Sequence, residues 1–171
     1  GGNNPEFFNS NSIFRGKKRD LYDGGIHMPL IAVWKGKIKP ATVSNHVSAI
    51  WDMFPTFLEM AGQKNLNSID GISMLPTLLG KSSIQKQHDY LYWEFHEENG
   101  KQAVRWGKWK AVQLNISTTN SKPIELYDLE NDPSEANDIA AAYPEIVKKM
   151  ASLILQAHLQ NKDWPLLPSE K

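Results

Sequence analysis

The run Lys17-Lys18-Arg19 places three consecutive cations shortly before the acid-Gly-Gly sequence at residues 23–25. Ammonium and guanidinium groups bind sulfate, phosphate and carboxylate through charge-assisted hydrogen bonds. The two glycines predict a tight turn with positive φ, because glycine has no Cβ to clash there. Three cations alone favour a solvated stretch of surface charge. The anion-binding interpretation therefore depends on the sequence around them.

The tryptophans Trp93, Trp106 and Trp109 are a second group that suggests binding, since flat aromatic rings can form a platform for carbohydrate. They occupy alternating positions of predicted strands, where large aromatic side chains usually belong to the core. We therefore favour a core role for these three residues.

The composition argues against several classes of function. The 171 residues carry 19 Lys and Arg against 19 Asp and Glu, so the formal net charge is zero, whereas nucleic-acid binding rests on excess positive charge. The chain contains no cysteine, which excludes disulfides, thiolate metal sites and cysteine nucleophiles within it. It also contains no run of about 18 apolar residues that would span a membrane.

The first half of the chain predicts pieces of an α/β architecture. The apolar run at residues 28–34 predicts a strand that is buried on both faces. Apolar residues spaced by three and four over residues 44–61 predict a helix with Ser44 as its N-cap. Because proline removes an amide donor, we expect this helix to kink at Pro55. A short helix is predicted at residues 72–79.

The second half of the chain changes to a period of two after a polar linker at residues 81–89. Four short strands are predicted at residues 90–96, 102–106, 108–114 and 124–127. A last helix opens at Pro144 and presents an apolar stripe. Together these elements predict an antiparallel meander of four strands with a helix packed on one face.

Four stretches of the chain resemble, in the same order, motifs of the type I sulfatases. The first reads RGKKRDLYDGGIHMP followed by VWKGKI, and the later ones contain DMFPTFL, DGIS and ELYDL; they lie at residues 15–38, 52–62, 70–80 and 125–133. One such motif is a weak signal, but four in order across residues 14–150 are specific.

The resemblance implies a fold and a division into domains. Sulfatases carry a large N-terminal α/β domain around a mainly parallel sheet, followed by a small domain of four antiparallel strands and a long helix. Residues 1–80 would be the last pieces of the large domain, and residues 81–171 the small domain. The implied fold class is therefore the C-terminal part of an α/β sulfatase fold.

Within this resemblance, Lys18 falls where sulfatases place a lysine that holds the sulfate group. Its ammonium would stabilise the charge that builds during sulfate transfer. Lys17 is the alternative if the alignment slips by one residue, and Arg19 is expected to pair with a nearby acid. Asp23 replaces the usual glutamate. His27 replaces an arginine that could form a fixed bidentate ion pair.

The resemblance also implies calcium and a formylglycine nucleophile in the full-length enzyme, with both sites outside this chain. Formylglycine is made from a Cys/Ser-x-Pro-x-Arg motif, which the chain lacks. Calcium needs several converging carboxylates, and residues 1–25 supply only Glu6, Asp20 and Asp23. We therefore expect no hydrolysis by this chain alone.

Loops of the small domain overhang the pocket in sulfatases, so His96 and Arg105 are candidates to bond a hydroxyl of a sulfated glycan. The ordinary interpretation of His96 is a solvent-facing residue at a strand end. A phosphate or phosphonate ester hydrolase of the same alkaline phosphatase superfamily is an alternative, and a non-catalytic module that binds glycan or a protein partner is another. The compartment stays open, although sulfatases are often exported. We expect residues 1–80 to expose apolar surface that drives oligomerisation or association with the rest of the protein.

Overall fold

The computed structural model describes residues 4–63 and 69–170, which form two compact units. Unit 1 contains residues 4–28 and 90–170, and unit 2 contains residues 29–89. Helices α1 to α5 span Pro5–Phe8, Asp23–Ile26, Met53–Met60, Leu75–Leu78 and Pro144–Ala157, and strands β1 to β4 span Leu91–Phe95, Lys101–Trp106, Trp109–Leu114 and Glu125–Asp128. No helix among the described residues has the length and apolar character that crossing a bilayer requires.

The four strands of unit 1 form one antiparallel sheet in the order β1-β2-β3-β4, which confirms the predicted meander. Trp106 pairs with Trp109 across the tight β2–β3 connection. Gly107 has a φ of +58° in this connection, a conformation that side chains with a Cβ rarely adopt. The sheet order follows the chain order, so each neighbouring pair is joined by a local connection.

Helix α5 covers one face of the sheet, as its apolar stripe predicts. Its buried residues Met150, Leu153 and Ile154 pack with Val104, Ala111 and Leu126 of the strands. Trp106 and Trp109 are partly buried against this cluster, and Trp93 packs on the opposite face. The core role favoured for the three tryptophans is therefore confirmed.

The opposite face of the sheet is covered by the segment that carries the three cations. Leu21 and Tyr22 are buried there against Ala103, Val112 and Tyr127. The alternation of side chains along β2 and β3 thus supplies one apolar surface to α5 and another to residues 15–23.

The strand predicted at residues 28–34 was wrong. This segment is irregular, and the side chains of Ile31 and Val33 are 89% and 88% exposed. A buried strand needs neighbours that accept and donate its backbone hydrogen bonds, and no strand within the described ranges pairs with it.

The helix predicted over residues 44–61 is shorter in the structure. It begins as α3 at Met53, after a 3₁₀ turn at Ile50–Asp52. Ser44 is not its N-cap, because the Ser44 hydroxyl accepts a hydrogen bond from the amide of His46 instead. Pro55 lies in the first turn of α3, where amides have no carbonyl partner within the helix, so the expected kink is not required.

Asp52 replaces Ser44 as the residue that organises the start of this helix. Its carboxylate is 1% exposed and accepts hydrogen bonds from the amides of Ala49 and Ile72 at 2.7 and 2.8 Å. His88 places its Nε2 2.8 Å from Oδ1 of the same carboxylate. Asp52 thereby joins three separate segments of unit 2.

The residues after α5 fold back as a strap, defined here as residues 158–170, onto unit 1. His158 lies between two carboxylates, with Nδ1 2.8 Å from Glu94 and Nε2 2.5 Å from Glu170. Leu166 is fully buried, and its carbonyl accepts a hydrogen bond from the Ser117 hydroxyl at 2.6 Å. Burial of the His158 ring favours its neutral form, but the hydrogen bonds to Glu170 and Glu94 outweigh burial and raise the pKa of His158 above 6.5.

We predict that the stability of the strap falls as pH rises through the raised pKa of His158. Its two ring nitrogens can both donate only in the charged form, so this stabilisation is complete below 6.5 and is lost above the raised pKa. Hydrogen exchange of the strap amides should therefore accelerate as the pH rises from below 6.5 through the raised pKa of His158, after correction for intrinsic rates. The variant His158→Gln should lack this extra acceleration.

The exposed His27 offers the matched control. His27→Gln should keep the pH dependence of wild type, because its ring is half exposed and contributes nothing to the strap. A strap whose corrected exchange is independent of pH in wild type would contradict the prediction.

Candidate functional site

Lys18 lies at the tip of a β-turn formed by residues 17–20. The amide of Asp20 donates to the carbonyl of Lys17 at 2.8 Å, and the Asp20 carboxylate accepts from the Lys17 amide at 3.0 Å. Arg19 occupies the third position of the turn with a φ of +80°. The side chain of Lys18 is exposed, and its ammonium has no hydrogen-bond or ion-pair partner in the part of the chain that the structure describes.

This turn is tied to the start of β2 by the buried side chain of Lys101. The ammonium of Lys101 lies 3.0 Å from the Arg19 carbonyl and 3.2 Å from a carboxylate oxygen of Asp20. It also lies 2.5 Å from the carboxylate of Glu98 in the β1–β2 loop. One lysine therefore holds the backbone of the Lys18 turn against the end of the sheet.

Arg19 forms an ion pair with Glu97 at 3.0 Å, which confirms the prediction that it pairs with a nearby acid. Glu97 follows His96 directly, so His96 lies at the same end of the sheet as the Lys18 turn. The His96 ring lies 5.6 Å from the Trp164 ring, and its Nε2 is 3.4 Å from Glu94. The structure thus brings the His96 region and the Lys18 turn to one end of the sheet.

Arg105 lies near the other end of β2. Its Nε donates to the carbonyl of Gly107 at 3.1 Å, beside the β2–β3 connection. Four residues along one strand separate it from Lys101, which corresponds to about 13 Å. Arg105 is therefore not brought together with the Lys18 turn.

The acid-Gly-Gly sequence forms the helical turn α2 rather than a turn with positive φ, so that part of the prediction was wrong. Glycine is needed here for close backbone approach. A Cβ at Gly24 would lie 2.4 Å from the Arg15 carbonyl, and one at Gly25 would lie 2.1 Å from the Asp20 carbonyl. A side chain at Gly25 would push the Lys18 turn away from α2, and one at Gly24 would displace the backbone of Arg15 and Gly16 just before that turn.

Beneath α2, the buried ammonium of Lys110 pairs with two carboxylates. It lies 2.5 Å from Asp23 and 2.8 Å from Glu135, and a second oxygen of Glu135 accepts from the Asp23 amide at 2.6 Å. The side chains of Lys110 and Glu135 are completely buried. Burial raises the pKa of Glu135, and the charge of Lys110 opposes that rise.

Arg15 makes a second connection between the N-terminal segment and the sheet. Its guanidinium donates to the hydroxyls of Tyr127 and Tyr22 at 2.9 and 3.2 Å, and to the Glu135 carbonyl at 3.0 Å. Both tyrosine hydroxyls donate to the Glu125 carboxylate at 2.6 Å. Burial and this hydrogen bond to Glu125 raise the pKa values of Tyr22 and Tyr127, so both hydroxyls stay protonated.

The supporting residues Lys101, Lys110 and Glu135 were missed in the sequence. The two lysines leave a signal in the sequence. Lys101 lies two residues before Ala103, and Lys110 two residues before Val112, so each lysine shares the sheet face that receives residues 15–23. A lysine at an inward position of a strand predicts a buried ion pair. Glu135 has no such periodicity, since it lies in a loop with a φ of +53°.

The residues present do not fit a calcium site. Over residues 4–63 and 69–170, no three His, Asp or Glu side chains are grouped so that they could hold a metal ion. Near the Lys18 turn, the Asp20 and Asp23 carboxylates are occupied by Lys101 and Lys110. No step of a reaction is therefore assigned to a metal bound by this chain.

The sequence matches the family described as N-sulphoglucosamine sulphohydrolase, C-terminal, over residues 14–160. The chain belongs to this sulfatase family. Arylsulfatase A of Homo sapiens is 31% identical over 86% of this chain and 34% of its own length. N-acetylgalactosamine-6-O-sulfatase of Bacteroides thetaiotaomicron is 29% identical over 83% of this chain and 29% of its own length.

A solved structure from work on the metabolism of multiple glycosaminoglycans by Bacteroides thetaiotaomicron matches with a TM-score of 0.70 and 26% identity, over 88% of this chain and 34% of that one. The chain therefore spans about a third of the length of these sulfatases. The predicted fold, a C-terminal sulfatase portion with a four-stranded antiparallel sheet, is confirmed. The roles of Lys18, His96 and Arg105 stay predictions, as does the division at residue 80.

We predict that Lys110→Met destabilises unit 1 by about 3–5 kcal/mol, because it leaves two buried carboxylates without their cation. Urea unfolding at neutral pH, followed by circular dichroism, measures this loss. Lys108→Met is the matched control, since Lys108 is partly exposed, pairs with Asp128 of β4 and lies over the Trp109 ring. Equal effects of the two substitutions would contradict a special role for the buried pair.

Proposed function

We propose that the complete protein hydrolyses sulfate monoesters and that this chain contributes Lys18 to the sulfate-binding site. The observation that carries the proposal is the exposed ammonium of Lys18 on a turn in which the Arg19 and Asp20 side chains are engaged, with Lys17 as the other exposed cation of the turn. Arg19 pairs with Glu97, and Asp20 pairs with Lys101. Membership of a sulfatase family favours sulfate as the anion.

An ammonium at this position suits the chemistry of sulfate transfer. Cleavage of the ester S–O bond builds negative charge on the bridging oxygen and on the sulfate oxygens. A lysine that donates hydrogen bonds to those oxygens binds the growing charge more tightly than the ground state and so lowers the barrier. The turn fixes the backbone of Lys18 in advance, which reduces the reorganisation needed for this contact.

We place the nucleophile and the calcium ligands outside this chain. The chain has no cysteine and no Ser-x-Pro-x-Arg motif from which formylglycine is made. It spans about a third of the length of arylsulfatase A, so most of such an enzyme would lie outside it. The part played by this chain is then to bind and orient the sulfate group, and we expect the chain alone to be inactive.

We propose a sulfated glycan as the substrate class, with His96 as a contact to sugar. His96 lies at the same sheet end as the Lys18 turn and beside Trp164, a residue that is 63% exposed. An imidazole can donate to or accept from a sugar hydroxyl. Arg105 is the weaker candidate because it lies about 13 Å along β2 from Lys101. The name of the N-acetylgalactosamine-6-O-sulfatase relative favours a glycan.

We also propose that unit 2 is covered by the rest of the protein. Several apolar residues of unit 2 are more than half exposed, among them Ile31, Val33, Val43, Phe54 and Phe57. Monomeric proteins rarely leave large contiguous apolar surface in water. The division of the complete enzyme into a large domain that includes residues 1–80 and a small domain of residues 81–171 is part of this proposal.

We predict that Lys18→Met in the complete enzyme lowers kcat/KM for an aryl sulfate by about 10²–10³-fold, the loss expected when one charge-stabilising donor is removed. Lys148→Met is the control, because Lys148 is an exposed lysine on α5, which packs on the opposite face of the sheet. Lys17→Met tests the neighbouring residue and should have a much smaller effect.

The same assay separates the alternatives. An unchanged kcat/KM in Lys18→Met would disprove the proposed role of Lys18 in sulfate binding. A loss found only in Lys17→Met would assign that role to Lys17 instead. Faster hydrolysis of an aryl phosphate than of the aryl sulfate would favour a phosphate or phosphonate ester hydrolase. Glycan binding without hydrolysis of either ester would favour a binding module.

We predict that the chain by itself associates through the exposed apolar residues of unit 2. Sedimentation velocity should detect species larger than a monomer, and the double substitution Ile31→Glu with Val33→Glu should shift the population toward monomer. Both side chains are almost fully exposed, so the substitutions remove little packing within the chain. A wild-type chain that sediments as a monodisperse monomer would disprove association.

A further inference from the structure

We propose that Lys101 is a positioning residue, which acts through Lys18 by locking the turn of residues 17–20 to the β1–β2 loop. The inference rests on the proposed role of Lys18 in sulfate binding. Lys101 lies outside the sulfatase-like motifs of the sequence, and its role follows from its contacts in unit 1. It does not touch the proposed substrate, so its effect on the reaction would be indirect.

The three hydrogen-bond donors of the Lys101 ammonium have three acceptors. These are the Arg19 carbonyl at 3.0 Å, Oδ1 of Asp20 at 3.2 Å and Oε2 of Glu98 at 2.5 Å. Two acceptors belong to the Lys18 turn and one to the β1–β2 loop. A lysine ammonium has three hydrogen-bond donors. All three therefore have acceptors only while both the Lys18 turn and the β1–β2 loop are in place.

Burial makes this contact costly to break. The Lys101 residue is 7% exposed, and a buried ammonium without partners is strongly unfavourable. Movement of the Lys18 turn would remove two of its three hydrogen-bond acceptors and leave Glu98 as the remaining one. The Lys18 turn is therefore held in position by the need to keep the buried Lys101 ammonium hydrogen-bonded.

Both segments that Lys101 joins contain residues in the left-handed region of backbone conformation. Arg19 has a φ of +80°, and Glu98 and Asn99 have φ values of +54° and +70°. Residues with a Cβ adopt these angles only where the surroundings hold them. Lys101 supplies part of that restraint, because it bonds the carbonyl of Arg19 and the side chain of Glu98.

Asp20 connects Lys101 to the backbone on the N-terminal side of Lys18. One of its carboxylate oxygens binds Lys101, and the other accepts from the Lys17 amide at 3.0 Å. The Arg19 carbonyl fixes the backbone on the C-terminal side. Lys18 is thus held on both sides while its own side chain stays exposed, which is the arrangement that a pre-positioned cation requires.

A double-mutant cycle on the complete enzyme tests this inference. We expect Lys101→Met to lower kcat/KM for an aryl sulfate by about 10–100-fold, since small misplacements of a binding group cause losses of that size. If Lys101 acts through Lys18, the double variant Lys18→Met with Lys101→Met should be no slower than Lys18→Met alone. Hydrogen exchange at the Asp20 amide should accelerate in Lys101→Met, because this amide closes the turn.

Two further substitutions control for a general structural effect. Lys108→Met removes a lysine of the β2–β3 connection that pairs with a carboxylate of the same sheet, and it should leave kcat/KM and Asp20 exchange unchanged. Should Lys101→Met fail to fold, Glu98→Gln weakens the same contact from a half-exposed side chain and takes its place in the cycle. A smaller loss of the same non-additive kind is expected from it.

The outcomes distinguish this inference from the proposed function. If Lys18→Met slows the enzyme but Lys101→Met does not, or if their effects multiply, Lys101 is not a positioning residue and the proposed function stands. If Lys18→Met leaves the rate unchanged, the proposed role of Lys18 and the inference both fail. Non-additive losses together with faster exchange at Asp20 support the inference.

Discussion

The ion pairs of the buried Lys110 are the interaction on which the arrangement of unit 1 depends. Lys110, the second residue of β3, is completely buried, and only a paired charge is tolerated at such a position. Of its partners, Asp23 precedes the first strand of the sheet in the chain and Glu135 follows the last one. Because the charge cannot stay buried without them, α2 and the Lys18 turn that precedes it are bound to the sheet.

The hydrogen bonds around Arg15 fix where the segment of residues 15–23 lies along the sheet. Apolar contacts of Leu21 and Tyr22 with the sheet are not directional, so by themselves they would allow the segment to slide. The hydrogen bonds of Arg15 to two tyrosines and of both tyrosines to Glu125 fix its register. Packing therefore supplies attachment, and the hydrogen bonds supply position.

The sequence predicts the elements whose physical cause is local. The period-two strands and the apolar stripe of α5 are both read from neighbouring residues. The strand at residues 28–34 failed because a strand depends on partners that are distant in sequence. The N-cap failed for a similar reason, since Asp52 begins α3 through contacts with Ile72 and His88. The contacts of Lys101 with Asp20 and of Lys110 with Asp23 likewise span 81 and 87 residues and leave only the weak signal of a lysine at an inward position.

Three lysines of one chemical type differ in this unit only through their surroundings. Lys110 is completely buried and holds α2, Lys101 is almost buried and holds the turn of residues 17–20 before α2, and Lys18 is exposed with its ammonium unpartnered within the described residues. In the proposed role of Lys18, the ammonium has to remain solvated until an anion binds, yet its backbone must not move. Using two buried lysines to fix the chain satisfies both requirements, because their charges are neutralised by Asp20, Asp23, Glu98 and Glu135 and do not compete for the anion.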